Sequence, residues 1–188
     1  MHFALNIHWI FKRIWTVFSE YLPAILLNNR MDINIIDYLD KDSVVLGIPQ
    51  KSKRNILSFF LDHLIQKKKI NKKNKSEILK SIFQREEMGS TAIGGCVAFP
   101  HARLGCVKKI VLCLAISHQG VDFDSLDDEK VNVIMLLISN QKEAGLHLKM
   151  LAFLARILRD KSFVRQLKNV KSQEEALGLM NKQQQAVR

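Results

Sequence analysis

Arg85-Glu86-Glu87-Met88-Gly89-Ser90-Thr91-Ala92-Ile93-Gly94-Gly95-Cys96-Val97-Ala98-Phe99-Pro100-His101 is the most informative stretch of this 188-residue chain. A small-residue loop at 89–95 runs into the apolar segment 96–99, which reads as a buried strand and closes on Pro100-His101. Glycines and hydroxyls let backbone N–H groups approach an anion and bond it. Proline fixes its own φ and offers no N–H, so it ends a strand and directs the side chain that follows. His101 is therefore expected to project from the strand's end into the space beside the loop. Near neutral pH an imidazole serves both as a neutral nucleophile and as a good leaving group. Residue types and spacing alone go no further than a candidate anion site, since a lone histidine after a strand is more often a turn residue and a glycine-rich loop is by itself a weak signal.

Working outward, the flanks alternate between helical and strand patterns. Upstream, residues 33–39 form a short apolar segment and Val44-Val45-Leu46 a brief strand. Residues 52–66 place Ile56, Leu57, Phe60, Leu61 and Leu64 on one face of a helix. Ser76 is expected to cap a second helix that holds Ile78, Leu79, Ile82 and Phe83. Downstream, the runs 110–117 and 131–139 lack period-two alternation, as expected of strands covered on both faces. An acidic turn, 121–129, joins them. A helix over 147–159 follows, with Leu148, Leu151, Phe153 (or Leu154) and Leu158 at helical spacing, and shorter helical pieces lie near 163–170 and 173–180. Strands interleaved with helices predict the α/β class: a single domain with a mixed β-sheet flanked by helices on both faces.

Composition narrows the function classes. A hydrophobic share of 47% with 25% charged residues belongs to a folded globular chain and excludes wholesale disorder. Three cysteines (Cys96, Cys106, Cys113) build no disulfide scaffold and suit a reducing cytoplasm. The net charge is +11, and residues 51–80 carry most of it, holding ten Lys or Arg against Asp62 and Glu77. The run 67–75 (Lys67, Lys68, Lys69, Lys72, Lys73 and Lys75 around Ile70, Asn71 and Asn74) has no aromatic for base stacking and no Arg for bidentate base reading. It reads as a solvated connection, and nucleic acid is not expected as a partner. No His, Cys, Asp and Glu cluster has metal-ligand spacing, so neither a metal nor another cofactor is expected.

Residues 1–30 are apolar and aromatic, but Lys12, Arg13 and Glu20 interrupt them, so no run long enough to span a bilayer exists. The order of a signal peptide is also missing. The stretch reads either as an over-extended reading frame before a true start at Met31, the favoured reading, or as an amphipathic helix touching a membrane or the protein body. The domain is placed at 31–182, with 183–188 as a tail. His63 and His118 read as surface or structural residues, and His2 and His8 fall in the doubtful extension.

The seventeen-residue run 85–101 closely resembles the signature R-E-x-x-G-S-T-G-I-G-x-G-I-A-I-P-H of fructose/mannitol-type enzyme IIA domains of the phosphoenolpyruvate-dependent phosphotransferase system. The likeness continues in Gly120-Val121-Asp122-Phe123-Asp124, in 131–139 and in Gly145-Leu146-His147-Leu148-Lys149. The Met-Gly-Ser-Thr form of the motif and the Val-Asp-Phe-Asp segment most resemble the nitrogen-regulatory branch. By this resemblance His101 is the phosphoacceptor, through Nε2, and His147 and Arg85 are its catalytic companions. Ser90, Thr91, Gly94 and Gly95 would form the phosphate loop, and His147, opening its helix, would turn its ring and nearby N–H groups to the anion. The implied activity is that of a cytoplasmic histidine phosphoryl carrier, loaded by HPr or a nitrogen-branch HPr paralogue and acting on regulatory target proteins. A sugar-specific enzyme IIA serving a membrane permease subunit is the alternative, and a non-catalytic protein-binding regulator is another. Ala92 and Cys96 stand where the family usually has Gly; if Gly there serves a positive φ, either residue would strain the loop. Cys96 is otherwise expected to be a small buried residue.

Overall fold

A computed structural model describes residues 33–49 and 52–187; the readings made for 1–30 lie outside the described residues. Six strands build one mixed sheet: β1 (Val44–Leu46), β2 (Ala92–Gly94), β3 (Val97–Ala98), β4 (His101–Leu104), β5 (Val111–Val121) and β6 (Val131–Asn140). Five helices accompany them: α1 (Lys53–Gln66), α2 (Lys75–Glu87), α3 (Ala144–Leu158), α4 (Lys161–Lys168) and α5 (Gln173–Ala186). The sheet order is β1-β5-β6-β3-β2, and β4 also pairs with β6. β5 and β6 are antiparallel, whereas β1 on β5, and β3 and β4 on β6, are parallel.

The long apolar runs form the two central strands because both of their faces are covered. Val111, Cys113 and Ala115 of β5, with Ile134, Leu136 and Ile138 of β6, share a core with Ile56, Leu57, Phe60, Leu61 and Leu64 of α1 and with Ile78 and Ile82 of α2. The alternate residues Leu112, Leu114 and Ile116, and Val133, Met135 and Leu137, are equally buried, on the face where α3, α4 and α5 meet the sheet. At roughly 25 cal/mol per Å² of apolar surface, each such side chain contributes about 1.5–3 kcal/mol.

Several local expectations change. α2 begins at Lys75 with Asn74 before it, so Ser76 lies inside the helix and is not its cap. Ser52 does cap α1, its Oγ accepting from the Asn55 N–H at 3.5 Å. Residues 92–94 of the expected loop form β2, because the Gly94–Cys96 turn folds them back as a hairpin onto β3. The single strand expected before His101 is divided at Pro100, which cannot donate to a ladder, and His101 opens β4 instead of ending a strand. α3 starts three residues before His147, and Leu148, expected on its buried face, is 57% exposed. The tail begins later than 183: α5 continues to Ala186, and the buried Gln184 accepts from the Ile35 N–H at 2.8 Å through Oε1.

Candidate functional site

Three elements bring the site together: the end of α2, the start of β4 and the first turns of α3. Arg85 lies in the last turn of α2, where its Nη1 donates to the Gly89 carbonyl at 2.9 Å and its Nε donates to His101 Nε2 at 3.2 Å. On the other side of the ring, His101 Nδ1 is 2.8 Å from the Phe99 carbonyl. A carbonyl only accepts and a guanidinium only donates. The His101 hydrogen is therefore on Nδ1, and its lone pair is on Nε2, under Arg85. Burial, with the charges of Arg85 and Arg103, holds this imidazole below its ordinary pKa, against the opposing pull of the Phe99 carbonyl and Glu86. The ring is neutral at pH 7 and nucleophilic at one defined atom.

The register of the sheet sets the rest. His101 pairs with Leu137 and Arg103 with Ser139, so all four lie on one face, the face α3 covers. His147 comes down from α3 onto that face. Its ring centroid is 5.5 Å from that of His101, and its Nδ1 is 2.7 Å from Ser139 Oγ. His147 is 3% exposed, and burial, followed by the His101 and Arg103 charges, pushes its pKa down to about 4. Its backbone N–H is committed to the Glu143 carbonyl at 3.0 Å inside the helix. The expectation that His147 opens the helix and offers N–H groups to an anion is thus corrected: only its side chain is available.

The loop residues divide. Arg85, His101 and His147 converge, but the groups expected to cradle phosphate are largely engaged elsewhere. Ser90 Oγ donates to the Phe123 carbonyl at 2.8 Å. Thr91 bonds Glu86 twice, through its hydroxyl to Oε1 and through its N–H to Oε2 at 3.2 Å. The Gly95 N–H donates to Asp127 Oδ2 at 2.9 Å, and a Cβ on Gly94 would stand 2.9 Å from that same oxygen. The loop is braced by carboxylates, which shape it rather than leave its donors open. Glu86 is itself buried and paired with Lys53 Nζ at 3.0 Å, and Lys53 also meets Asp124 at 2.8 Å and lies over the Phe123 ring. Nothing local in the sequence announced that a half-buried lysine would face Glu86.

Of the two departures from glycine, one matters. Cys96 has φ +66°, the left-handed region that disfavours a side chain, whereas Ala92 sits in β2 without a positive φ. Cys96 is half-buried, not buried, with Sγ 3.4 Å from Glu129 Oε2 and 3.7 Å from Lys168 Nζ. Arg103 and Ser139 were missed in the sequence. Arg103 was findable as the residue two places after His101, on the same strand face; Ser139 was not, because its partner is on another element. His63 and His118 approach backbone carbonyls, Asp42 at 2.8 Å and Lys168 at 2.9 Å, away from the cluster. Among the described residues no helix is long and apolar enough to cross a membrane, and no cluster could hold a metal ion.

Comparison with known proteins gives the family. Residues 37–183 match the family model described as "Phosphoenolpyruvate-dependent sugar phosphotransferase system, EIIA 2". A nitrogen regulatory protein of Bradyrhizobium diazoefficiens is 29% identical over 134 residues, 71% of this chain and 86% of that protein. The fructose-specific EIIABC component of Bacillus subtilis is 26% identical over 149 residues, 79% of this chain but only 23% of that longer protein. The crystal structure of nitrogen regulatory protein IIA-Ntr from Neisseria meningitidis superposes with a TM-score of 0.71 at 28% identity, covering 78% of this chain and 98% of that one. With the mixed sheet and the converging histidines already described, these likenesses leave one conclusion: the chain belongs to the EIIA 2 family of the phosphoenolpyruvate-dependent sugar phosphotransferase system.

Proposed function

We propose that this chain is a cytoplasmic phosphoryl carrier of the nitrogen-regulatory type, loaded on His101 by phospho-HPr or a nitrogen-branch HPr paralogue. One observation carries the reading: a neutral imidazole whose bare Nε2 accepts from an arginine and whose ring lies 5.5 Å from that of a second histidine. In the transfer, the P–N bond to the donor's histidine breaks as a P–N bond to His101 Nε2 forms. Arg85 Nε leaves the lone pair and turns its hydrogen bonds to the phosphoryl oxygens, for which a guanidinium's paired donors are suited. The His101 ring gains positive charge as it bonds phosphorus, and the Phe99 carbonyl, already bonded to Nδ1–H, stabilises that charge. Arg103 adds positive charge beside the two rings, and His147, held neutral by its low pKa, stands 5.5 Å from His101 as an uncharged hydrogen-bonding group. Transfer of this kind depends mainly on positioning and on donors for the equatorial oxygens, and no metal step is required.

The test is direct. Phosphoenolpyruvate, enzyme I and the donor should add one group of about 80 Da, labile in acid and stable in alkali, as expected of a phosphoramidate. His101→Ala should abolish the addition with circular dichroism unchanged. Label that survives acid, or persists in that variant, refutes the assignment and points to a hydroxyl such as Ser90 or Thr91. The fructose-specific relative supports the alternative of a sugar-specific enzyme IIA. Rapid onward transfer to a sugar-specific EIIB domain would favour that branch over a regulatory one.

A further inference from the structure

Ser139, next to last in β6, is fully buried, and its Oγ lies 2.7 Å from His147 Nδ1. Among the described residues that ring nitrogen is the one hydrogen-bond partner found for the hydroxyl. At 0% exposure, solvent offers it no other acceptor. Two arrangements are open to the pair. If Nδ1–H donated to Oγ, the hydroxyl hydrogen would be left buried with no acceptor, the costlier arrangement. If the hydroxyl donates, both partners are satisfied and the ring's own hydrogen must be on Nε2.

We infer that Ser139 is a positioning residue that fixes the tautomer of His147: its O–H donates to Nδ1, which holds the imidazole with a bare Nδ1 and a hydrogen on Nε2. The low pKa of His147, about 4, keeps the ring neutral, so a single hydrogen is at issue. The groups acting on it are His101 and Arg103 from β4 and Ser139 from β6. Arg103 pairs with Ser139 one step along from His101 and Leu137, so the serine lies on the same sheet face as the phosphoacceptor. With Nδ1 occupied, Nε2–H is the free donor of a ring 5.5 Å from His101. A neutral donor strengthens its hold as negative charge collects on the oxygens of a transferring phosphoryl group. The opposite tautomer would present a lone pair and repel those oxygens. This functional consequence rests on the proposed role of His101; the tautomer itself does not.

The experiment uses the full chain labelled with nitrogen-15 histidine. Long-range nitrogen–proton correlation spectra near pH 7 distinguish bare from protonated ring nitrogens. His147 should show a bare Nδ1 and a protonated Nε2 in the parent. In S139A the Nδ1 resonance should move as the hydrogen bond is lost and the other tautomer becomes populated. The rate of phosphorylation from the phosphoenolpyruvate, enzyme I and HPr chain should fall roughly fivefold, the scale of one neutral hydrogen bond. In an H147Q background the S139A change should leave the remaining rate unaltered, because the serine acts through that ring. A protonated Nδ1 in the parent overturns the inference, even where S139A fails to fold. So does an Nδ1 resonance unmoved by S139A, or a full fivefold loss in the H147Q background. Should phosphorylation persist in His101→Ala, the carrier reading fails while the tautomer result stands or falls by the spectra.

Discussion

His147 makes the fold sensitive to acid in a calculable way. A free histidine titrates near 6.5, and burial holds this one at about 4. Above about pH 6.5 the ring is neutral whether the chain is folded or unfolded, and it contributes nothing to the pH dependence. Between about 6.5 and 4 the unfolded chain takes up a proton that the folded chain refuses, so stability falls as pH falls. Between pH 7 and about pH 4.5 this single group should remove about 2 kcal/mol of folding free energy, since each pKa unit is worth about 1.4 kcal/mol. His147→Gln removes the titration but keeps a polar side chain of similar reach. Urea unfolding of parent and variant at the two pH values isolates the effect, because every other titrating group is common to both chains. The variant should lose about 2 kcal/mol less than the parent on acidification. Equal losses in the two proteins would refute the reasoning and place the ring in contact with water.

Three further outcomes follow from the loop, its brace and the lysines. Cys96→Gly should stabilise the fold by about 0.5–1 kcal/mol, because glycine adopts φ +66° without penalty, while Cys96→Val should lower the melting temperature by several degrees, both readable by thermal denaturation. Glu86→Ala leaves Lys53 with one carboxylate and Thr91 with none, so it should cost about 3 kcal/mol or more by urea unfolding, and Glu86→Gln, which keeps an acceptor, should cost less. Replacing Lys67, Lys68, Lys69, Lys72 and Lys73 by Gln should leave phosphorylation by the donor nearly unchanged, since Lys67 and Lys69 are paired with Asp42 and Asp40; a many-fold, salt-dependent loss would show that the cluster steers the encounter.

Much of the architecture was legible in the sequence because its signals are local. The runs at 110–117 and 131–139 announced strands covered on both faces, and the 3.6-residue spacing of Ile56, Leu57, Phe60, Leu61 and Leu64 announced α1. The motif at 85–101 pointed to Arg85 and His101, and the likeness at 145–149 to His147. Each of these readings depends on residues a few positions apart.

What tertiary structure alone decided depends on partners far apart in the chain. Which nitrogen of His101 carries the hydrogen is set jointly by Phe99 and by Arg85, sixteen residues away on a helix. Ser139 means nothing in sequence until α3 folds back and lays His147 on it. Thr91 and Gly95 looked like free donors to an anion, but Glu86 and Asp127 had taken their N–H groups. Leu148 fits an apolar stripe by spacing, yet it faces outward, because the sheet leaves no cover for that side of α3. Periodicity tells which residues seek burial; only the assembled sheet and helices tell which partners are there to meet them, and a proton's position follows from those partners.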